Sequence, residues 1–136
     1  MGREFRAALG TLVVGALLAT GVAPAEAARK PTPREAKAIK AAAMKACVAP
    51  PGSRCRWHSA RVSTHDRRYA WANITAEGTS GMLLKRSTRT GRRFRVLAVQ
   101  GGGVEECKRW LRYAPARVLA DLRVGGLDAD GNYGRC

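Results

Sequence analysis

The sequence predicts an α+β domain in which an N-terminal helix packs on a four-stranded antiparallel meander, followed by short C-terminal helices and held by two disulfides. Two observations carry this prediction. Apolar residues recur at helical spacing in residues 34–48, and from Arg54 onward apolar and polar residues alternate as in a β-strand. Short turn-forming segments divide the alternating region into four strands, which is typical of an antiparallel meander.

The predicted helix has an apolar stripe and a capping signal. The stripe consists of Ala36, Ile39, Ala43, Met44 and Cys47. Thr32 suits the N-cap, Pro33 the first helical position, and Glu35 stands three residues after the cap, as in a capping box. The segment "APPG", residues 49–52, ends the helix.

Four strands follow: "CRWHSARVS", "RYAWANIT", "GMLLKRS" and "RRFRVLAVQ", joined by turns at "THDR", "EGTS" and "TRTG". Two alternating sets fit the inward face of the first strand: Cys55, Trp57 and Ser59, or His58, Ala60 and Val62. In the last strand, Phe94, Val96 and Ala98 are expected to point inward.

The tail is expected to be helical and then irregular. In "VEECKRWLRY", residues 104–113, a helix would place Val104, Cys107, Trp110 and Leu111 on one face. A second short helix, "PARVLADL", begins with a proline and ends at Gly125 and Gly126. The last nine residues, "DADGNYGRC", read as a flexible Asx and glycine turn that leads to Cys136.

Residues 1–27 have the pattern of a secretory signal peptide. Arg3 and Arg6 precede an apolar run from Ala7 to Ala23, and small residues precede a predicted cut before Ala28. The run is shorter than the roughly 20 residues of a stable membrane span. We therefore expect a secreted chain of one domain, residues 28–136, without a membrane span after cleavage.

The charge of the chain favours anionic partners. It has 25 Lys and Arg against 10 Asp and Glu, a net charge of +15. The predicted signal peptide contains two residues of each sign, so its removal leaves this excess unchanged. Such a charge favours association with nucleic acid, anionic cell-wall polymer or phospholipid surface, and leaves the choice among them open.

All four cysteines lie after the predicted cut, and an exported chain meets an oxidising compartment, so two disulfides are expected. Three pairings are possible. We favour Cys47–Cys55, which closes a helix-to-strand turn, and Cys107–Cys136, which ties down the tail. No CxxC spacing exists, and His58 and His65 stand outside any zinc pattern, so neither a metal nor another cofactor is expected.

The strongest candidate for a binding site is the basic segment 83–97, "LLKRSTRTGRRFRVL". Its cationic residues are Lys85, Arg86, Arg89, Arg92, Arg93 and Arg95. Together with Trp57, Trp71 or Tyr69 on neighbouring strands, such residues would resemble a surface for single-stranded nucleic acid, where aromatic rings stack on bases. The alternative interpretation is a solvated hairpin whose charges keep the chain soluble and block edge pairing.

Two other classes of function have sequence support. A small phosphodiesterase or ribonuclease needs a general acid and a general base beside a cationic clamp, and the chain offers His58, His65, Asp66 and Glu77. A protease inhibitor needs a rigid exposed loop. The segment from Val48 to Arg54, closed by Cys47–Cys55, would form one.

Several stretches resemble small exported actinobacterial proteins of uncharacterised function: "ARVSTHDRRYAWANIT", "GMLLKRSTRTGRRFRVLAVQGGG", and Cys107 followed by "PARVLADL" and a final Cys. The resemblance covers residues 54–136. It implies a secreted domain closed by a Cys107–Cys136 pair, and it implies no catalytic activity. From the charge of the chain we expect a non-catalytic secreted domain that binds an anionic cell-wall polymer, nucleic acid or a secreted protein through a basic sheet face.

Overall fold

The computed structural model describes residues 28–88 and 92–136, and it confirms the predicted α+β fold. The main elements are α1 (Pro33–Ala46), β1 (Arg56–Val62), β2 (Tyr69–Thr75), β3 (Gly81–Arg86) and β4 (Phe94–Gln100). These strands form one antiparallel sheet in the order β1-β2-β3-β4. The tail contains α2 (Cys107–Trp110), α3 (Ala116–Asp121), β5 (Gly125–Leu127) and β6 (Tyr133–Arg135).

Helix α1 begins as the capping signal predicts. The Thr32 hydroxyl accepts a hydrogen bond from the Glu35 backbone N–H, and the Glu35 carboxylate accepts one from the Thr32 N–H. The buried residues of the helix are Ile39 and Ala43, whereas Met44, expected in the apolar stripe, is 37% exposed. The helix ends at its C-cap, Cys47.

The sheet is covered on both faces, so the molecule has three layers. The helix-side core joins α1 to one face and contains Ile39, Ala43, Ala60, Val62, Ala70, Ala72, Ile74, Met82, Leu84 and Phe94. The tail-side core joins the tail to the other face and contains Tyr69, Trp71, Leu83, Ala98, Trp110, Ala114, Val118, Leu119, Leu122 and Val124. The rings of Trp71 and Trp110 meet edge to face with centroids 5.5 Å apart.

Two β-bulges decide which residues face each core. In β1 the register shifts between Trp57 and Ser59, so that Trp57 packs against the same helix-side core as Ala60 and Val62. His58 is the extra residue of this bulge. The helix-side face of β1 therefore takes Trp57 from one predicted set and Ala60 and Val62 from the other. A second shift, in β4, places Ala98 in the tail-side core although Phe94 lies in the helix-side core. The expectation that both point to one face was wrong, because a bulge reverses the alternation.

The tail is less helical than expected. Helix α2 is a single turn, and Val104 and Leu111, expected on its buried face, are 60% and 49% exposed. The final segment is a β-hairpin, in which the Asp128 carboxylate accepts hydrogen bonds from the backbone N–H groups of Asp130 and Asn132. The Asx turn was predicted; the two short strands that it joins were not.

The disulfides are Cys47–Cys55 and Cys107–Cys136, the two favoured pairs. They indicate an oxidising environment. Across residues 28–88 and 92–136, no helix has the length and apolar content needed to cross a membrane. The predicted signal peptide, residues 1–27, lies outside the described residues.

Candidate anion-binding site

One end of the main sheet gathers most of the candidate residues. Strand β1 ends there, β2 begins, β3 ends and β4 begins, as the pairs Val62–Ala70, Tyr69–Lys85 and Arg86–Phe94 show. The N-terminus of α1 lies at the same end. We call this region the basic end and define it by its cationic residues: Arg29, Arg34, Arg67, Arg68, Lys85, Arg86, Arg92, Arg93 and Arg95.

The basic end keeps a strong excess of positive charge. Its carboxylates, among the described residues, are Glu35, Asp66 and the buried Asp121. Carboxylate partners are found for Arg29, Arg68 and Arg86. In the described part of the chain no ion pair involves Arg34, Arg67, Arg92, Arg93 or Arg95. Like charges held this close repel one another and create a positive field that attracts anions.

The predicted site residues divide between the two faces of the sheet. Lys85 and Arg95 are paired across β3 and β4, and the Lys85 ammonium lies 4.9 Å from the centre of the Tyr69 ring on the tail side. Arg86 points to the helix side. Arg92 and Arg93 are exposed just before β4. Arg89 lies outside the described residues.

Arg86 is held in place by the helix. Its Nη2 donates to Glu35 Oε1 at 3.3 Å and to the Arg67 carbonyl at 2.7 Å, and its guanidinium lies 5.3 Å from the centre of the Phe94 ring. Glu35 also accepts two hydrogen bonds of 2.8 Å from Arg29. Chiefly through these bonds from Arg29, the pKa of Glu35 falls to about 2.

A groove opens at the basic end between α1 and the strands β3 and β4. Its volume is about 310 Å³. Arg34, Arg86 and Arg92 line it together with Glu35, while Ala38 and Phe94 supply its apolar part. Thr32 completes the lining. The groove therefore combines three guanidinium groups with an aromatic ring.

The expected aromatic stacking platform is not formed by two of its three candidates. Tyr69 and Trp71 are only 5% and 4% exposed, because the tail covers the sheet face from which they project. Trp57 is half-buried against the helix-side core. The basic sheet face is likewise narrower than expected, since the tail packs over the middle of that face and leaves Lys85 half-buried and Arg95 exposed at its end.

The turn after β1 anchors the tail to the basic end. Asp121 Oδ2 accepts hydrogen bonds from the Ser63 hydroxyl at 2.8 Å and the Thr64 backbone N–H at 2.7 Å. Arg68 forms a salt bridge to Asp66 in the same turn, and this bond lowers the pKa of Asp66. Asp66 in the turn and Asp121 at the end of α3 therefore both have structural partners.

The residues of the predicted phosphodiesterase site are divided between the two ends of the sheet, with His58 and Glu77 at one end and His65 and Asp66 at the other. His58 lies near the start of β1, where its Nε2 is 2.8 Å from the Thr75 hydroxyl. His65 lies in the turn beyond the other end of that strand. At about 3.3 Å per residue, the strand alone puts roughly 13 Å between His58 and that end. Glu77 lies in the β2–β3 turn, at the end of the sheet opposite His65 and Asp66.

The loop from Val48 to Arg54 is exposed and constrained. The Cys47–Cys55 disulfide closes its base. Within it the Ser53 N–H donates to the Pro50 carbonyl at 2.9 Å, and Gly52 has φ of +83°. Pro51 followed by a glycine of positive φ is the signature of a type II turn. Val48 is 82% exposed.

Sequence reasoning missed four residues of the basic end: Arg29, Arg34, Arg67 and Arg68. A signal for Arg34 was present, because the Cys47–Cys55 bond fixes the C-terminus of α1 at the start of β1. A 14-residue helix and a seven-residue strand have nearly equal lengths, about 21 and 23 Å. The N-terminus of α1 must therefore reach the far end of the sheet, where the basic hairpin also ends.

Among residues 28–88 and 92–136, no cluster of three or more His, Cys, Asp or Glu side chains is arranged to hold a metal ion. Comparisons with known protein families, curated proteins and solved structures found no match to this chain. The candidate function therefore rests on the geometry of the basic end.

Proposed function

We propose that this chain is an exported, non-catalytic domain that binds an anionic polymer through its basic end. Export is supported by the signal-like residues 1–27 and by the two disulfides. The polymer is one whose charges repeat along its length, such as a phosphodiester cell-wall polymer or a nucleic acid.

One observation carries the proposal: five arginines without a carboxylate partner in the described structure meet at a single end of the sheet. They come from separated parts of the chain, namely the start of α1, the β1–β2 turn and the segment that enters β4. A hairpin that needed charge only for solubility would not require Arg34 and Arg67 beside it. Arginine suits phosphate because its planar guanidinium donates two parallel hydrogen bonds.

The test is binding of the disulfide-bonded mature protein to polyphosphate, single-stranded DNA, a sulfated polysaccharide and polyglutamate at several salt concentrations. The test variant carries Arg92→Gln, Arg93→Gln and Arg95→Gln. The matched control carries Lys45→Gln, Arg54→Gln and Arg56→Gln, which removes the same charge from exposed residues at the opposite end.

We expect the basic-end variant to bind at least tenfold more weakly than the control variant. For a single-stranded polymer, the loss of three contacts should also reduce the slope of log affinity against log salt by about 2. Equal weakening in both variants would show that net charge alone determines binding, and the basic end would then have no dedicated role.

A second candidate function is protease inhibition by the loop from Val48 to Arg54. The observation that favours it is the type II turn closed by a disulfide, since a constrained loop loses little entropy when it enters a protease cleft. Arg54 is exposed and suits a trypsin-like specificity pocket. The test is inhibition of trypsin by wild-type protein and by Arg54→Ala, with Arg56→Ala as the control. Absence of inhibition at micromolar protein would exclude this function for trypsin-like enzymes.

A further inference from the structure

The groove at the basic end has a defined shape and a defined charge. It is bounded by one helix and by the ends of two strands, and its volume of about 310 Å³ exceeds that of a single phosphate group. A flat charged surface would attract any anion. A groove of this size can select among anionic groups by their shape.

The charge inside the groove is positive although Glu35 lines it. Both Glu35 oxygens are engaged by the guanidinium groups of Arg29 and Arg86. Arg34 and Arg92 have no carboxylate partner in the described structure. Their guanidinium groups are therefore available to a ligand, and Glu35 orients Arg86.

Arg86 is preorganised for binding. Its side chain is only 13% exposed, held by Glu35 and the Arg67 carbonyl, and its buried Nε has no hydrogen-bond partner in the described structure. The Nη2 group, which Glu35 and the Arg67 carbonyl hold, keeps the guanidinium in one orientation at the groove. A fixed guanidinium also loses less side-chain entropy on binding than an exposed one.

The three guanidinium groups enter from three different elements. Arg34 comes from the first turn of α1, Arg86 from the end of β3, and Arg92 from the segment before β4. A planar carboxylate has two oxygens in one plane and suits a single guanidinium fork. A tetrahedral oxyanion presents oxygens in several directions and suits donors that converge from several sides.

We propose that this groove is a specific subsite for a tetrahedral oxyanion, a phosphate or sulfate ester group of the polymer. The ring of Phe94 and the methyl group of Ala38 contact the carbon skeleton beside the ester. This inference rests on the proposed function, because the subsite binds one group of the polymer that the basic end attracts.

The experiment is an NMR titration of the disulfide-bonded mature protein with phenyl phosphate, phenyl sulfate and benzoate. These probes share an aromatic ring and differ in the anion. The groove variant is Arg34→Gln with Arg92→Gln. The control is Arg93→Gln with Arg95→Gln, which removes the same charge from the basic end outside the groove. All variants are first checked for a wild-type amide spectrum.

We expect saturable shifts at groove residues with phenyl phosphate or phenyl sulfate, and at least tenfold weaker binding of benzoate. The groove variant should lose at least tenfold in affinity for the tetrahedral probe, the control less than threefold. The ester probe that binds with the higher affinity shows whether the group bound in the groove comes from a phosphate or a sulfate polymer.

Equal binding of benzoate, or equal losses in the two variants, would overturn the subsite. If the polymers still bind through the basic end in that case, the proposed function stands without the subsite. If neither the polymers nor the probes bind to wild-type protein, both proposals fail.

Discussion

The Glu35 carboxylate of α1 and the Arg86 guanidinium of β3 form a salt bridge of 3.3 Å between residues 51 positions apart in the chain. Both side chains are largely buried, with 12% and 13% of their surfaces exposed. Arg29 binds the same carboxylate. This pairing joins the helix layer to the sheet and fixes one wall of the groove.

The first prediction concerns pH. Because the pKa of Glu35 is lowered from 4.5 to about 2, its folded state favours the ionised form. The stabilisation is therefore fully present above pH 4.5 and is lost as the pH falls toward 2. After allowance for solvent screening, this amounts to roughly 2 to 3 kcal/mol.

The measurement is urea unfolding of wild type and of Glu35→Gln at pH 7 and pH 2.5. The unfolding free energy at pH 7 exceeds that at pH 2.5, and this difference should be smaller by roughly 2 to 3 kcal/mol in the variant than in wild type. The Asp66–Arg68 pair still contributes in both proteins. Glu77→Gln, which removes an exposed carboxylate, is the control, and an equal effect of both substitutions would refute the role of Glu35.

The second prediction compares the disulfides. Cys47–Cys55 closes a sequence separation of 8 residues and Cys107–Cys136 one of 29. The longer loop restricts the unfolded chain more, so its bond should contribute about 3 to 4 kcal/mol against about 2 to 3 for the shorter. Paired Cys→Ser variants, unfolded in denaturant, give both values. A larger loss from Cys47→Ser with Cys55→Ser would contradict the loop-entropy argument.

The third prediction concerns the anchor of the tail. Asp121→Ala removes the carboxylate that accepts hydrogen bonds from the Ser63 hydroxyl and the Thr64 N–H, so both donors lose this acceptor. We expect a loss of roughly 2 to 3 kcal/mol in unfolding free energy. Asp130→Ala, at an exposed residue, should change it by less than about 0.5 kcal/mol. Similar values for the two variants would show that Asp121 is not an anchor.

The fourth prediction tests close packing at the tail disulfide. A Cβ on Gly126 would lie 2.8 Å from Cys136 Sγ and 2.8 Å from the Glu105 carbonyl oxygen, whereas one on Gly134 would meet nothing within 4 Å. Gly126→Ala should therefore cost about 1 to 3 kcal/mol. Gly134→Ala, in the paired strand, should cost less than about 0.5 kcal/mol. Thermal unfolding of both oxidised variants measures the contrast.

The sequence predicted the elements that local patterns control. The change from helical to strand spacing located α1 and the four strands, and the capping box at Thr32 and Glu35 fixed the start of the helix. The two cysteine pairs were favoured because one closes a helix-to-strand turn and the other ties down the tail, and both are present. Apart from the Cys107–Cys136 pair, whose members are 29 positions apart, these features depend on residues close together in the chain.

The features that were missed depend on contacts between distant residues. The bulge at His58 exists because Trp57 and Ala60 both pack toward α1, and alternation within β1 cannot show this. The burial of Tyr69 and Trp71 depends on the tail, which covers the second sheet face. The groove likewise requires the α1 N-terminus beside β4, a relationship set by the length of the helix and its disulfide.

The two covered faces divide the sheet into positions that differ in tolerance to substitution. In β2 the residues Tyr69–Ala72 are all buried, and in β3 so are Gly81–Leu84, because each face meets its own core. The outer strands β1 and β4 retain exposed or half-buried residues beside their buried ones. In a library covering every single substitution, β1 and β4 should accept polar residues at intervals, while the central pair should reject them along four consecutive residues.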